Sequence, residues 1–468
     1  MKSIDTKKNK NAWSSLQKED LNEMSVFIDE YKEFISKGKT EREASDYIET
    51  EAKKNGFVDL YEEKDENFDS KGKYYAKNRG KSIIMIDLGE GDLIDGVNII
   101  GSHIDSPRLD LKQNPIYEDG DVVLLKTHYY GGIKKYQWTS LPLAIHGIVF
   151  KSDGSKVSIN IGEAPEDPVF LISDLLPHLS KDQNAKKMSE AVTGESLNVI
   201  IGNMQGDEEK NPFKSRIIEI IGEMYGIKEE DFKVAELEVV PAGKARDSGF
   251  DRSMVIGYGQ DDRSCSFAAM KAIFSKKPYK RSAVAVFSDK EEIGSVGNTG
   301  MLSSFFENFM AEILFRTKGS YDELMLRRLL SNTNVFSADV VNGFDPNYPE
   351  VSDKLNSAYL GRGVSISKYG GSRGKSGSND ANAEYISKVR MLMKKENIVW
   401  QTGEVGKVDQ GGGGTIAYIL ANKGAEVVDI GLPVLSMHSP FELISKVDLY
   451  MAYRAYDIFF REMAVNHI

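Results

Sequence analysis

Four apolar runs of strand length, each ending in a residue able to hold a cation, constrain this chain more than any other feature. Ser282-Ala-Val-Ala-Val-Phe-Ser-Asp-Lys-Glu291-Glu292 ends in paired acids. Val97-Asn-Ile-Ile-Gly-Ser-His103 ends in His-x-Asp, with Asp105 two residues on. Thr333-Asn-Val-Phe-Ser-Ala-Asp339 ends in Asp, and the run from Val427 reaches His438. Apolar runs of this length between turn signals read as interior strands of an α/β sheet. Open α/β sheets bind ligands beyond the carboxyl ends of their strands. A chain folded this way gathers imidazoles and carboxylates along one edge.

Adjacent carboxylates such as Glu291 and Glu292 repel each other unless a cation lies between them. With a metal present, one can bind it while the other moves a proton, as metal-assisted hydrolysis requires. The plainer reading is a solvated acidic loop, because paired acids are common on surfaces. The other runs tip the balance. So does Gly257-Tyr-Gly-Gln-Asp261-Asp262-Arg263, which precedes a helix-like stretch from Ser266 to Ser275. Five such matches in a chain with six histidines outweigh the plainer reading. Imidazole and carboxylate together suit a borderline cation such as zinc.

The 468 residues predict two or more domains, and 40% hydrophobic content is ample for a packed core. A net charge of −11 argues against nucleic acid as a partner, since phosphate binding needs a basic face. Lys7-Lys8-Asn9-Lys10 and Lys394-Lys395 read as a solvated tail and a helix face. The single cysteine, Cys265, cannot form an internal disulfide and reads as a buried packing thiol. No stretch approaches the ~20 apolar residues of a membrane helix, and the Lys- and Asn-rich start lacks a secretory apolar segment. The expectation is a soluble cytoplasmic protein.

Residues 15–55 read as helical, with Val26, Ile28, Tyr31, Phe34 and Ile35 near helical spacing. Residues 60–81 read as charged loop and edge. From 109 to 255 short β-like pieces dominate, including 122–126, 144–150 and 157–161, with a polar exposed loop at 180–195. After 255 strands and amphipathic helices alternate again. The candidate ligands flank the β-rich block, so the expected architecture is an α/β catalytic domain (1–108 and 256–468) carrying an inserted β-rich domain at 109–255. Gly370 to Ser376 fails the phosphate-loop pattern because Tyr369 occupies its first glycine. Gly411 to Gly414 before an apolar helix reads as a substrate-facing loop.

In this order the motifs resemble the family of aspartyl aminopeptidase and vacuolar aminopeptidase I, which are dinuclear zinc exopeptidases. The carriers are the segment from Gly101 to Leu109, Asp261-Asp-Arg, the segment from Asp289 to Ser295, Ser337-Ala-Asp and Met437-His-Ser-Pro, with Tyr130-Gly-Gly-Ile and Trp138 matching the inserted domain. The resemblance implies a mixed-sheet α/β fold with two divalent ions, zinc by expectation. His103 and Asp339 would bind metal, as would Glu292 and His438, with Asp261 bridging. Asp105 would orient the His103 ring, and Glu291 would be the general base. The inserted domain would drive assembly into a homo-dodecamer, with His178 as the candidate for a histidine reaching a neighbouring site. His128 and His146 read as structural and His467 as frayed. Substrates would be peptides cleaved at the N-terminal residue. Acidic specificity needs a cation, for which Arg373 and Lys375 are placed, yet the local sequence looks closer to the neutral branch, so specificity reads as neutral or broad. A zinc dipeptidase or deacylase shares the His-x-Asp and Glu-Glu motifs and is the first alternative. A scaffold that has lost its ligands is the second, and here every candidate position keeps a competent residue.

Overall fold

Alternation inside one strand explains the central sheet. In Ser82–Asp87, Ile83 and Met85 join one apolar layer while Ile84 and Ile86 join another. Both faces are therefore covered, and such strands read as continuous apolar runs. The computed structural model describes residues 11–275 and 279–463. The Lys7–Lys10 cluster and His467 lie outside them.

The chain divides into two compact units. The first comprises Met1–Asp105, Ala245–Met437 and Glu442–Ile468. Its central sheet has nine strands, numbered here along the chain: β1 Val58–Asp59, β2 Lys73–Asn78, β3 Ser82–Asp87, β4 Asn98–His103, β5 Ala283–Ser288, β6 Asn334–Ser337, β7 Val364–Ser367, β8 Trp400–Thr402 and β9 Glu426–Gly431. Their order is β1-β2-β3-β5-β4-β6-β9-β7-β8. The middle four, β5, β4, β6 and β9, run parallel, while β3 and β7 flank them antiparallel. The sheet is mixed, as expected, and its parallel strands deliver their carboxyl ends to one edge.

Helices α1 (Lys18–Lys37), α2 (Glu41–Lys54), α3 (Gln260–Ile273), α6 (Ala383–Lys395) and α7 (Lys446–Glu462) cover one face. Helices α4 (Phe305–Lys318) and α5 (Glu323–Ser331) cover the other. The helical stretch expected at 15–55 is two helices. Gly38 ends α1, and Thr40 starts α2 with a capping box, its side chain accepting from the Glu43 N–H at 3.2 Å while Glu43 accepts from the Thr40 N–H at 3.1 Å. Val26 is 62% exposed because the buried stripe runs through Met24, Phe27, Ile28, Tyr31, Phe34 and Ile35. Residues 60–81, expected as loop and edge, contain β2 with Tyr74, Tyr75 and Ala76 buried. Its lysines masked the strand.

The second unit comprises Ser106–Lys244 and His438–Phe441. It holds a six-stranded sheet in the order Lys156–Ile161, Leu143–Phe150, Glu236–Pro241, Arg108–Asp119, Val122–Tyr130, Val199–Gly202, antiparallel throughout. Gly120 (φ 56°) and Asp121 (φ 64°) form its central hairpin loop, and two successive positive φ values suit the twist of the flanking strands. The polar stretch at 180–195 carries two short helices, Lys181–Asn184 and Met188–Ala191.

Candidate metal centre

His103 is the last residue of β4 and is 2% exposed. Ser266 on α3 donates to its carbonyl at 2.8 Å, tying the strand end to the helix. The ring Nδ1 lies 3.0 Å from the Asp105 carbonyl oxygen and 3.4 Å from Asp105 Oδ1. With Nδ1–H donating there, Nε2 is the nitrogen left to face the opposite side. Nε2 faces Asp261 Oδ1 at 3.3 Å, Asp339 Oδ1 at 3.9 Å and Glu291 Oε2 at 3.9 Å. One ligand atom from each of His103, Asp261 and Asp339 lies within 4.8 Å of the others.

Asp105 is fully buried and does more than face the ring. Its Oδ1 accepts from the Glu291 N–H at 3.1 Å and its Oδ2 from the Glu292 N–H at 3.2 Å. One residue thus fixes both the imidazole, by its carbonyl and carboxylate together, and the acidic turn that follows β5. Sequence reasoning gave it only the ring. Lys290 turns the chain there with φ 65°, at a cost of about 1–2 kcal/mol. The Ser295 N–H donating to the Lys290 carbonyl at 2.7 Å and Lys290 Nζ donating to Thr299 Oγ1 at 2.9 Å offset that cost. Thr299 in turn donates to Asp289, a buried acid that sequence reading left unassigned although it belongs to the same Asp-Lys-Glu-Glu run.

The electrostatics follow from crowding buried acids. Burial pulls the His103 ring down, but its bonds to Asp105 and Asp261 and the charge of Glu291 hold it well above the ordinary imidazole range. Burial, then the Asp262 and Asp261 carboxylates, push Asp339 well up. Burial, then Glu41 and Asp105, push Asp289 up to about 7. In the protein alone, protons take the place of a compensating cation. Arg263, the neighbouring guanidinium, is directed elsewhere, donating to the Ile104 carbonyl at 3.1 Å and the Gly38 carbonyl at 2.6 Å. An imidazole nitrogen and several carboxylates without that guanidinium fit a divalent cation of zinc's preferences.

A family model described as aminopeptidase I zinc metalloprotease (M18) matches residues 34–460. The chain belongs to the M18 family. It is 52% identical over 457 residues to a probable M18 family aminopeptidase 1 of Clostridium acetobutylicum, covering 97% of this chain and 98% of that one. A crystal structure of an M18 family aminopeptidase from Thermotoga maritima is similar at a TM-score of 0.93 and 46% identity, over 97% and 99% of the two chains. A yeast structure described as the mApe1 dodecamer shares the fold at a TM-score of 0.74 and 20% identity, over 94% of this chain and 97% of that one. M18 membership makes the protein a zinc metalloaminopeptidase that hydrolyses peptide bonds, the expected family and activity. The expected α/β class holds as well.

Four other flagged histidines belong to the second unit: His128, His146, His178 and His438. His178 is exposed on the single turn Pro177–Leu179. His438, half-buried at φ 63°, belongs to the segment His438–Phe441 of the second unit, with Nδ1 2.9 Å from the Gly132 carbonyl. His146 is buried with Nε2 3.2 Å from Glu163, and the exposed His128 turns to the Tyr129 carbonyl at 2.9 Å. Cys265 is buried. Lys375 donates to Asp380 at 2.9 Å, and Gly412–Gly413 pairs with Gly371–Ser372 as a two-stranded ribbon. Among the described residues no helix is long and apolar enough to cross a membrane.

Proposed function

We propose that this M18 aminopeptidase removes the N-terminal residue of peptides at a centre of two divalent ions, both zinc. His103 and Asp339 would hold one ion and Glu292 and His438 the other, with Asp261 serving both. Bound there, the ions lower the pKa of water and stabilise charge developing on oxygen. Glu291 takes the proton of the attacking water and returns it to the leaving amine. Asp105 keeps the His103 tautomer and the Glu291 backbone in register. The observation that carries this reading is the approach of three carboxylates, Asp261, Asp339 and Glu291, to one imidazole nitrogen at 3.3–3.9 Å.

The test is metal analysis of purified protein beside Glu291→Gln. Two equivalents of metal are expected in both. Turnover of an aminoacyl-anilide should fall roughly 10²–10⁴-fold in the variant, the usual worth of general acid–base catalysis. A variant that loses its metal with its activity would make Glu291 a ligand instead. Hydrolysis of N-acylated amino acids alone would favour a deacylase.

The finer readings follow. Neutral or broad specificity is supported by Lys375, whose ammonium is already engaged by Asp380. Homo-dodecameric assembly through the β-rich second unit, with peptides as substrates, is supported by the yeast relative's description as a dodecamer. Leu175, Leu176 and Leu179, exposed around His178, are suited to a subunit contact. Light scattering should then give a mass near twelve times 52.1 kDa. His178→Ala should lower turnover without changing that mass. A single cysteine supports a cytoplasmic location.

A further inference from the structure

Helix α3 begins in an unusual way. Its Gly259 cap sits at φ 71° with no side chain to offer the helix amides. The next residues are not helical, with Asp261 at φ −83° and ψ 108° and Asp262 at φ −115° and ψ 26°. The first N–H groups of a helix have no partner within it. At Asp261 the partner comes from far away in sequence: its N–H donates to Glu442 Oε2 at 3.1 Å.

Glu442 is 1% exposed and opens the strand Glu442–Ser445, which pairs with Met254–Gly257 in register Gly257 to Glu442. Gln260 closes the arrangement from the other side. Its Nε2 donates to the Glu442 carbonyl at 2.6 Å and to the Val255 carbonyl at 3.2 Å. Its Oε1 accepts from the Tyr31 hydroxyl at 3.0 Å. The Asp261 backbone is thus gripped by one side chain and braced through its neighbour by two strands and α1. What this grip secures is the position of the Asp261 carboxylate, 3.3 Å from His103 Nε2. A carboxylate at a helix amino end is also favoured by the helix dipole.

We infer that Glu442 is a positioning residue of the metal centre: it accepts the Asp261 N–H and so holds the Asp261 carboxylate against His103. This rests on the proposed reading of Asp261 as a ligand. Glu442 acts on the centre through the Asp261 backbone. Groups that orient metal ligands typically change metal affinity 10–100-fold when removed.

The test uses the full chain stripped of metal by chelation and titrated with Co²⁺. Affinity is read by competition with a chelator, and ligand geometry by the visible bands of the bound cobalt. Glu442→Ala should weaken Co²⁺ binding about 10–100-fold and shift the bands. Glu442→Gln keeps an acceptor, so it should keep wild-type bands and lose less affinity than the alanine variant. Glu442→Leu fills the site without an acceptor and should behave like alanine, and it replaces that variant if alanine does not fold. A lowered melting temperature of metal-free Glu442→Ala with unchanged affinity and bands would overturn the inference, leaving Glu442 a packing residue. Altered bands in Glu442→Gln would overturn it too. Asp261→Asn separates this failure from the failure of the ligand reading. If that variant binds Co²⁺ as wild type does, Asp261 is not a ligand. If it binds weakly while the Glu442 variants bind normally, only the inference falls.

Discussion

The ends of β4 and β5 and the glycine ribbon at 371–413 both carry residues that draw attention in the sequence, yet they are held in opposite ways. At the strand ends buried side chains fix the backbone that carries the flagged groups. Asp105 accepts from two backbone amides of the Glu291 turn, and Ser266 ties the His103 carbonyl to α3. In the ribbon the order comes from backbone geometry. A Cβ on Gly411 would lie 1.7 Å from the Val405 carbonyl oxygen, so only glycine fits there. The nearby charges form exposed pairs such as Lys375–Asp380. Chemistry that must place atoms to fractions of an ångström belongs in the first setting. A surface that adapts to different side chains can tolerate the second.

The sharpest way to break this contrast is to remove the clamp. Asp105→Ala strips the Glu291 and Glu292 amides of their acceptor and leaves His103 Nδ1 only the backbone carbonyl of residue 105. Activity should fall about 10–100-fold, with part returned by Asp105→Asn, which keeps one acceptor oxygen. Steady-state kinetics at saturating metal, beside a metal titration, would check it. A loss below about threefold would mean that the surrounding packing, rather than this carboxylate, holds the turn.

How much of this was legible in the sequence follows from the same contrast. The parallel strands β4, β5, β6 and β9 are covered on both faces, so 97–103, 283–288, 334–337 and 426–431 stand out as apolar runs. Their carboxyl ends carry the acids and the imidazole that drew attention first. The break between α1 and α2 was also written locally, in Gly38 and the Thr40 capping box, but the apolar period on either side concealed it. The Asp261 grip was not legible. Glu442 lies 181 residues away, and nothing in its surroundings marks it as an acceptor for one amide. Asp289 was passed over because Glu291 and Glu292 supplied a complete chemical story without it. Its burial beside Glu41 and Asp105 is a tertiary fact. His178 shows the reverse limit. A histidine on an exposed turn of one chain carries no local trace of what a second chain would bring to it.

Burial alone does not make a site, and Asp87 tests that part of the comparison. It ends β3, away from the candidate ligands in sequence, with Lys73 Nζ 3.4 Å away. Burial pushes its carboxyl up to about 6 despite that lysine. The folded state therefore holds this proton more tightly than the unfolded chain, whose carboxyl has the ordinary value. Stability contributed by the proton is present at acid pH and is lost as pH rises from about 4 to 6. Asp87→Asn should be close to wild type near pH 4 and exceed it by about 2–3 kcal/mol at pH 7, with activity unchanged. Urea unfolding at the two pH values would check this. A variant less stable than wild type at pH 7 would show that the Lys73 pair outweighs burial.

The smallest effect is expected in the ribbon. Lys375 donates to Asp380, and its ammonium stands 3.8 Å from the centre of the Tyr369 ring. At 44% and 41% side-chain exposure the ion pair is solvated, and such pairs contribute roughly 0–1 kcal/mol. Lys375→Ala should therefore leave stability within about 1 kcal/mol and the ratio of leucyl- to aspartyl-anilide turnover unchanged. The second readout matters more. If Lys375 leaves Asp380 to receive an acidic N-terminal side chain, aspartyl turnover collapses in the variant while leucyl turnover survives. The ribbon would then be a selective pocket as finely placed as the strand ends, and the division drawn between the two regions would no longer hold.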